Sequence, residues 1–293
     1  MYAIQKLLIS LDMSAMDDCL IPYSLKVASI TEVEEVIFMH VLKDKSSQAK
    51  KKKAAIEHKI ESFTHSLHSN TKIRIELLKG DPLNEMMNLA KKEEIDLLVV
   101  GRKNIVEGTG ETSRKLSRRA LCSILRVPEN AKPEFKKILI PIDFSEYSQL
   151  ALTRALEFAQ KEKNVEIICL NIYELPKGYL QSGKTLDEFA EIMEENAKKR
   201  YQYFIRDFET KGVHIKAKFQ LDKNNVKAKI ISNIALVEGA DLIMMGSRGR
   251  TNMAAALLGS TTEKLLLHNL TIPILILKKK EQNLGFFNAL LKI

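Results

Sequence analysis

Two periods of apolar residues alternate along the chain, and the series runs twice. Lys6-Leu-Leu-Ile-Ser-Leu-Asp12 returns 131 positions later as Lys137-Ile-Leu-Ile-Pro-Ile-Asp143. Asn88-Leu-Ala-Lys-Lys-Glu-Glu-Ile-Asp-Leu-Leu-Val-Val-Gly101 returns 145 positions later as Asn233-Ile-Ala-Leu-Val-Glu-Gly-Ala-Asp-Leu-Ile-Met-Met-Gly246. Chance likeness between apolar strands could give one match. Two matches in the same order, one closing on Asp and the other on Gly each time, identify a duplication. The join falls near Val127-Pro-Glu-Asn-Ala-Lys-Pro133, where two prolines interrupt any periodic element. The expected division is residues 1–130, residues 131–280 and an apolar tail, 281–293.

In the second copy the strands read as Lys137–Ile142, Val165–Tyr173, Val213–Leu221, Asp241–Gly246 and Thr271–Leu277. Between the first two, Leu152, Ala155, Leu156 and Ala159 recur at i, i+3, i+4 and i+7, one face of a helix. Glu188–Phe208 and Val226–Val237 are the next helical stretches. Strands separated by helices predict an α/β fold of two Rossmann-like, doubly wound domains. Each is a mainly five-stranded parallel sheet with helices on both faces. The third strand alternates apolar and polar residues and is expected to be half exposed. Ligands of such sheets bind beyond the carboxyl ends of the strands, where strand order reverses.

One of those ends carries Gly246-Ser-Arg-Gly249-Arg-Thr-Asn-Met-Ala-Ala-Ala-Leu-Leu-Gly259-Ser260-Thr-Thr-Glu263. Gly246 and Gly249 allow a sharp turn and close approach to a ligand. Ser260 then opens a helix whose free N–H groups and dipole attract anions, and Arg248 and Arg250 add positive charge. The spacing is neither a Walker loop nor the dinucleotide fingerprint. A ligand-free reading stands beside it: Ser260-Thr-Thr-Glu263 is a capping box, and the glycines are turn residues.

The spacing Gly-x2-Gly-x9-Gly-Ser after a strand ending Met-Gly-Ser resembles the nucleotide-binding motif of the universal stress protein family. Ile138-Leu-Ile-Pro-Ile-Asp-Phe-Ser-Glu146 and Asn269-Leu-Thr-Ile-Pro-Ile-Leu-Ile276 resemble that family's opening and closing segments. The resemblance covers about residues 3–128 and 135–278, so the chain looks like two such domains in tandem. It implies an adenine nucleotide in the second domain, ATP with Mg²⁺ held mainly by the phosphates. The adenosine part would lie at Asp143 and the backbone of Ile172. Ribose and phosphates would lie at Gly246, Arg248, Gly249, Gly259, Ser260 and Thr261. Asp143 has a second reading, as an N-cap or turn acceptor for the helix starting near Ser145.

The first copy departs from the pattern. Gly101 aligns with Gly246 and Gly110 with Gly259, but nine positions separate the former pair and thirteen the latter. Asn104 stands in the second glycine's place, and Glu111 puts negative charge where Ser260 would face phosphate. Repulsion at about 4 Å costs on the order of 1–4 kcal/mol. Asp12 is retained, yet this copy is expected not to bind ATP; Arg102, Lys103 and Arg114 could take only a smaller anion.

Composition narrows the classes. The 293 residues suit two domains, with 45% hydrophobic and 28% charged residues typical of a folded chain. No apolar run reaches the roughly 18–20 residues that span a bilayer, and Met1–Asp12 does not read as a signal peptide. Three separated cysteines, Cys19, Cys122 and Cys169, fit a reducing cytoplasm. The net charge of +9 is spread along the chain apart from Lys50–Lys53 and Lys278–Lys280, and tryptophan is absent. A nucleic-acid binder would concentrate charge beside stacking aromatics, so nucleic acid is not an expected partner.

His65-x-x-His68 could sit on one helical face, but no third metal ligand is evident. His40, at the end of strand two, is expected to pack or to hydrogen-bond backbone. His214 is expected to be exposed and Cys169 to be a small core residue. No nucleophilic triad or general base stands out, so the expectation is a nucleotide-dependent signalling or regulatory module, at most a slow ATPase. An adenylate-forming or nucleotide-hydrolysing enzyme on a related fold would need a further catalytic loop, which Asp143-Phe-Ser-Glu-Tyr does not supply. An interaction or dimerisation module that binds no nucleotide is the alternative, with the tail Leu284–Ile293 as its docking segment. The two domains are expected to pair through Cys122–Val127 and Thr271–Leu277, since an open edge needs covering. The resemblance implies the same pairing and allows a homodimer of whole chains.

Overall fold

The computed structural model describes residues 4–42, 49–103, 115–116, 118–176, 183, 185–249, 258–269 and 271–279. They form two compact units, one from residues up to 134 with 258 and 271–279, the other from 135–249 and 259–269.

The first unit runs β1 (Lys6–Leu11), α1 (Met16–Thr31), β2 (Glu35–Leu42), α2 (Ala49–Glu61), β3 (Lys72–Lys79), α3 (Pro82–Lys92), β4 (Leu97–Arg102) and β5 (Ser123–Pro128). Its strands are parallel in the order β3-β2-β1-β4-β5. The reversal of strand order between β2 and β4, on either side of β1, is the switch point of a doubly wound sheet. A further strand, β10 (Ile274–Leu277), runs antiparallel to β5, with Leu275 opposite Leu125. The second unit runs β6 (Lys137–Ile142), α4 (Glu146–Lys161), β7 (Glu166–Tyr173), α5 (Leu186–Ile205), β8 (His214–Leu221), α6 (Lys227–Glu238), β9 (Leu242–Gly246) and α7 (Ser260–His268). Its parallel order is β9-β6-β7-β8. Four parallel strands therefore lie in this unit, and the last strand of the second copy clusters with β5.

Element ends shift by up to three residues from the sequence reading. β10 begins at Ile274, not Thr271, because Pro273 has no N–H to offer a ladder. α5 begins at Leu186 because Thr185 and Glu188 close a capping box. In α4 the stripe Leu152, Ala155, Leu156 and Ala159 is buried, and β8 is half-buried along its length.

The duplication extends to individual hydrogen bonds. Asp96 Oδ2 accepts from the backbone N–H groups of Gln5 and Lys6, both at 3.0 Å. Asp241 Oδ2 accepts from Lys136 and Lys137 at 2.8 and 2.9 Å. Lys6 Nζ donates to the Glu93 carbonyl and Lys137 Nζ to the Glu238 carbonyl. In each copy the turn before the fourth strand is thus tied to the start of the first strand. This explains why Lys and Asp recur with the apolar strands.

Glu238 also binds cations on β8, receiving Lys216 Nζ at 2.8 Å and an ion pair from Lys218. Hydrogen bonds from the two ammonium groups, with their charge, hold its carboxyl down to about 2 against an ordinary 4.5. A carboxyl depressed in the folded state contributes stability above its unfolded pKa, lost as pH falls through the folded value. Glu238→Gln is therefore expected to cost on the order of 1 kcal/mol at pH 7, after discounting for solvent screening. Urea titrations of both proteins should converge between pH 4.5 and 2.

Candidate functional site

The carboxyl ends of β6, β7 and β9 open into a cavity of about 460 Å³ in the second unit. All eight residues singled out from the sequence line it: Asp143, Ile172, Gly246, Arg248, Gly249, Gly259, Ser260 and Thr261. They come from three strand ends and the start of α7, and the parallel order β9-β6-β7 brings them together.

Asp143 follows β6. Its Oδ1 accepts from Ser145 N–H at 3.1 Å and from the buried Ser148 hydroxyl at 2.6 Å. The turn-acceptor reading of this side chain is realised. The N-cap reading is corrected, because Ser145 itself caps α4 by accepting from Ser148 N–H. Opposite lies Gly249, where an added Cβ would fall 2.5 Å from Asp143 Oδ2. Glycine at 249 thus lets the loop backbone lie against the carboxylate.

Gly246 also has a packing reason. A Cβ there would meet Tyr147 Cβ at 2.5 Å and the Tyr147 carbonyl oxygen at 3.0 Å, so glycine lets α4 lie on β9. Gly101 holds the same place under Met16 of α1.

The capping box expected at Ser260–Glu263 is not formed. α7 has Gly259 as its N-cap, in extended conformation and with no side-chain acceptor, so Ser260 is already the first helical residue. A capping box needs its hydroxyl at the N-cap, one position earlier. The helix therefore presents its N-terminus to the cavity without a side-chain cap, the arrangement that favours anions. Gly259 N–H donates to the Ser247 carbonyl at 2.8 Å, and the buried Thr262 hydroxyl donates to the Gly246 carbonyl at 3.2 Å. Both bonds fasten α7 to the end of β9.

Arg248 lies on the same rim, its guanidinium 5.6 Å from the centre of the Tyr147 ring. Its Nε is buried without a hydrogen-bond partner among the described residues. A buried donor left unmatched costs about 1–3 kcal/mol, a cost that an anionic acceptor at this rim would remove.

Four residues that the sequence reading did not select also line the cavity: Phe144, Asn171, Arg200 and Lys227. Asn171 is 3% exposed and donates from Nδ2 to the Ile142 carbonyl at 2.9 Å. A polar residue inside the apolar run Ile167–Ile172 was the available signal. Its counterpart is His40, whose Nδ1 donates to the Leu11 carbonyl at 3.0 Å. In both copies a buried polar side chain at the end of the second strand satisfies the last carbonyl of the first.

In the first unit Asp12 pairs with Lys103 at 2.5 Å. Burial pulls its carboxyl up, but hydrogen bonds from Lys103 and Ser14 with the Lys103 charge outweigh burial and hold it below its ordinary value. Lys103 aligns with Arg248, so in this copy the loop cation is engaged by the strand-one carboxylate. Asn104, Gly110, Glu111 and Arg114 lie outside the described residues, as do Arg250, Lys280 and the tail.

The two histidines expected on one helical face are not so placed. His65 lies in a short 3-10 turn, and His68 lies beyond it, within 3.2 Å of the Ser29 carbonyl. Among the described residues no group of three His, Cys, Asp or Glu could hold a metal ion. His214 is exposed, 3.4 Å from Glu166. Cys122 and Cys169 are buried, and desolvation pushes their thiols up to about 11 and about 12. No helix among the described residues is long and apolar enough to cross a membrane.

Comparison with known proteins gives consistent matches. Residues 134–278 match the model of the universal stress protein family. The chain is 32% identical over 161 residues to universal stress protein MJ0577 of Methanocaldococcus jannaschii, covering 50% of this chain and 96% of that protein. It is 31% identical over 163 residues to universal stress protein MJ0531 of the same organism, covering 55% and 91%. In fold it is similar to a universal stress protein structure from Archaeoglobus fulgidus, with a TM-score of 0.64 at 18% identity over 94% of this chain and 97% of that one.

Proposed function

Because the chain belongs to the universal stress protein family, we propose that its second domain binds an adenine nucleotide and serves as a nucleotide-dependent regulatory module. The observation that carries this reading is the convergence on one cavity of eight residues chosen beforehand by spacing and resemblance, beside an α7 N-terminus that no side chain caps. A volume of about 460 Å³ lies within the roughly 300–1,000 Å³ of small-ligand sites.

In this reading the α7 amides, Ser260 and Arg248 hold phosphate, and Asp143 with the Ile172 backbone holds the adenosine part. ATP brings its own Mg²⁺ on the phosphates. The carboxylates that line the cavity already serve structure: Asp143 holds Ser145 and Ser148, and Glu174 pairs with Lys227 at 2.7 Å. That engagement favours binding over turnover, with at most slow hydrolysis. The Asp12–Lys103 pair supports a first domain that binds no ATP.

A ligand that binds only the folded protein stabilises it by about 2.7 kcal/mol at a concentration one hundred times its Kd. ATP with Mg²⁺ is expected to raise the melting temperature of the full chain by several degrees in a concentration-dependent way. A melting curve unmoved by millimolar ATP would contradict the proposal.

A further inference from the structure

Besides the glycine loop and Asp143, the cavity has a second cationic side. Arg200 of α5 lines it, with its guanidinium 4.9 Å from the centre of the Phe144 ring. Phe144 is held in turn by an edge contact with Phe204, their ring centres 5.6 Å apart. Stacking of this kind fixes the plane of a guanidinium and leaves its edge donors for a planar or tetrahedral anion. The position is therefore ordered in advance of any ligand.

Charge and spacing then suggest what it meets. The other charged residues of the lining are Asp143, Glu174, Lys227 and Arg248. Lys227 and Glu174 pair with each other, which leaves two arginines against one carboxylate. Arg248 follows β9, while α5 follows β7 and packs on β7 and β8. β6 lies between β9 and β7, so two strand spacings, about 10 Å, separate these two sides. One mononucleotide bridges that distance, and the cavity volume leaves no room for a second nucleoside.

Resting on the nucleotide reading above, we propose that Arg200 is a specificity-determining residue that binds a second phosphate. The preferred ligand is then a mononucleotide phosphorylated on its sugar as well as at the 5′ position. A charge-assisted hydrogen bond to a partly enclosed phosphate is expected to be visible as about a tenfold gain in affinity.

The test is calorimetric titration of the full chain with adenosine 5′-monophosphate and with adenosine 3′,5′-bisphosphate, for wild type, Arg200→Gln and Arg200→Lys. Wild type is expected to prefer the bisphosphate about tenfold. Arg200→Gln should abolish that preference while leaving 5′-monophosphate affinity within about twofold, and Arg200→Lys should restore part of it. Equal affinities in wild type, or a preference that survives Arg200→Gln, would overturn the proposal and leave nucleotide binding standing. Failure of both ligands to bind wild type would remove the proposal together with the nucleotide reading.

Discussion

Gly246→Ala is expected to destabilise the second unit by about 3 kcal/mol, a large fraction of a domain's usual 5–15 kcal/mol. The one added carbon would lie 2.5 Å from Tyr147 Cβ and 3.0 Å from the Tyr147 backbone oxygen. Neither atom can swing aside, so α4 must lift from β9 and the buried contacts of Ala151, Leu152 and Ala155 loosen. A purely entropic view predicts the opposite sign, because Gly→Ala at a compatible site stabilises by about 0.4–1 kcal/mol. Urea unfolding followed by circular dichroism decides between them. Gly101→Ala is the internal control: its Cβ would meet Met16 Cγ at 2.6 Å, a flexible side chain that can turn away. Its cost should stay below about 1 kcal/mol.

Gly259→Glu is expected to lower ATP affinity by about 100-fold while the protein stays folded. The backbone at 259, φ −63° and ψ 142°, suits any L-residue, and a Cβ there would sit 3.3 Å from the Ser247 carbonyl oxygen, a contact relieved by a small shift. The carboxylate would occupy the helix N-cap and satisfy the amides that the proposal assigns to phosphate. It would also repel phosphate by about 1 kcal/mol in water and about 4 kcal/mol at an effective dielectric of 20, a range that brackets 100-fold. Gly259→Ala adds bulk without charge and should change affinity by less than about threefold. The substitution also imitates the first copy, whose sequence carries Glu111 just after the aligned glycine.

Much of the fold was legible because apolar periodicity and the repeat reinforce each other. An isolated apolar run such as Ile243–Met245 is ambiguous, but its position four residues after the recurring Gly-x-x-Asp spacing is settled by the other copy. The lining of the cavity by the glycine loop was legible for a similar reason, since glycine spacing reports backbone geometry directly. Other features depend on through-space partners that spacing does not encode. Gly246 read as a ligand-approach residue, but Tyr147, nearly one hundred positions upstream, gives it a packing role as well. Ser260 read as a cap, yet the helix begins one residue later than that requires, because Gly259 is held extended by its bond to Ser247. Arg200 carried no sequence signal, since one arginine on an amphipathic helix is ordinarily a solvated charge. Only the placement of Phe144, with φ of 65°, turns a ring towards it.

The central claim, one adenine nucleotide per chain in the second unit, is tested most directly by isothermal titration of ATP with Mg²⁺ into wild type and Gly259→Glu. One site per chain, lost in the folded variant, is the predicted result. Absence of binding to wild type, or a site that persists unchanged in Gly259→Glu, would contradict it.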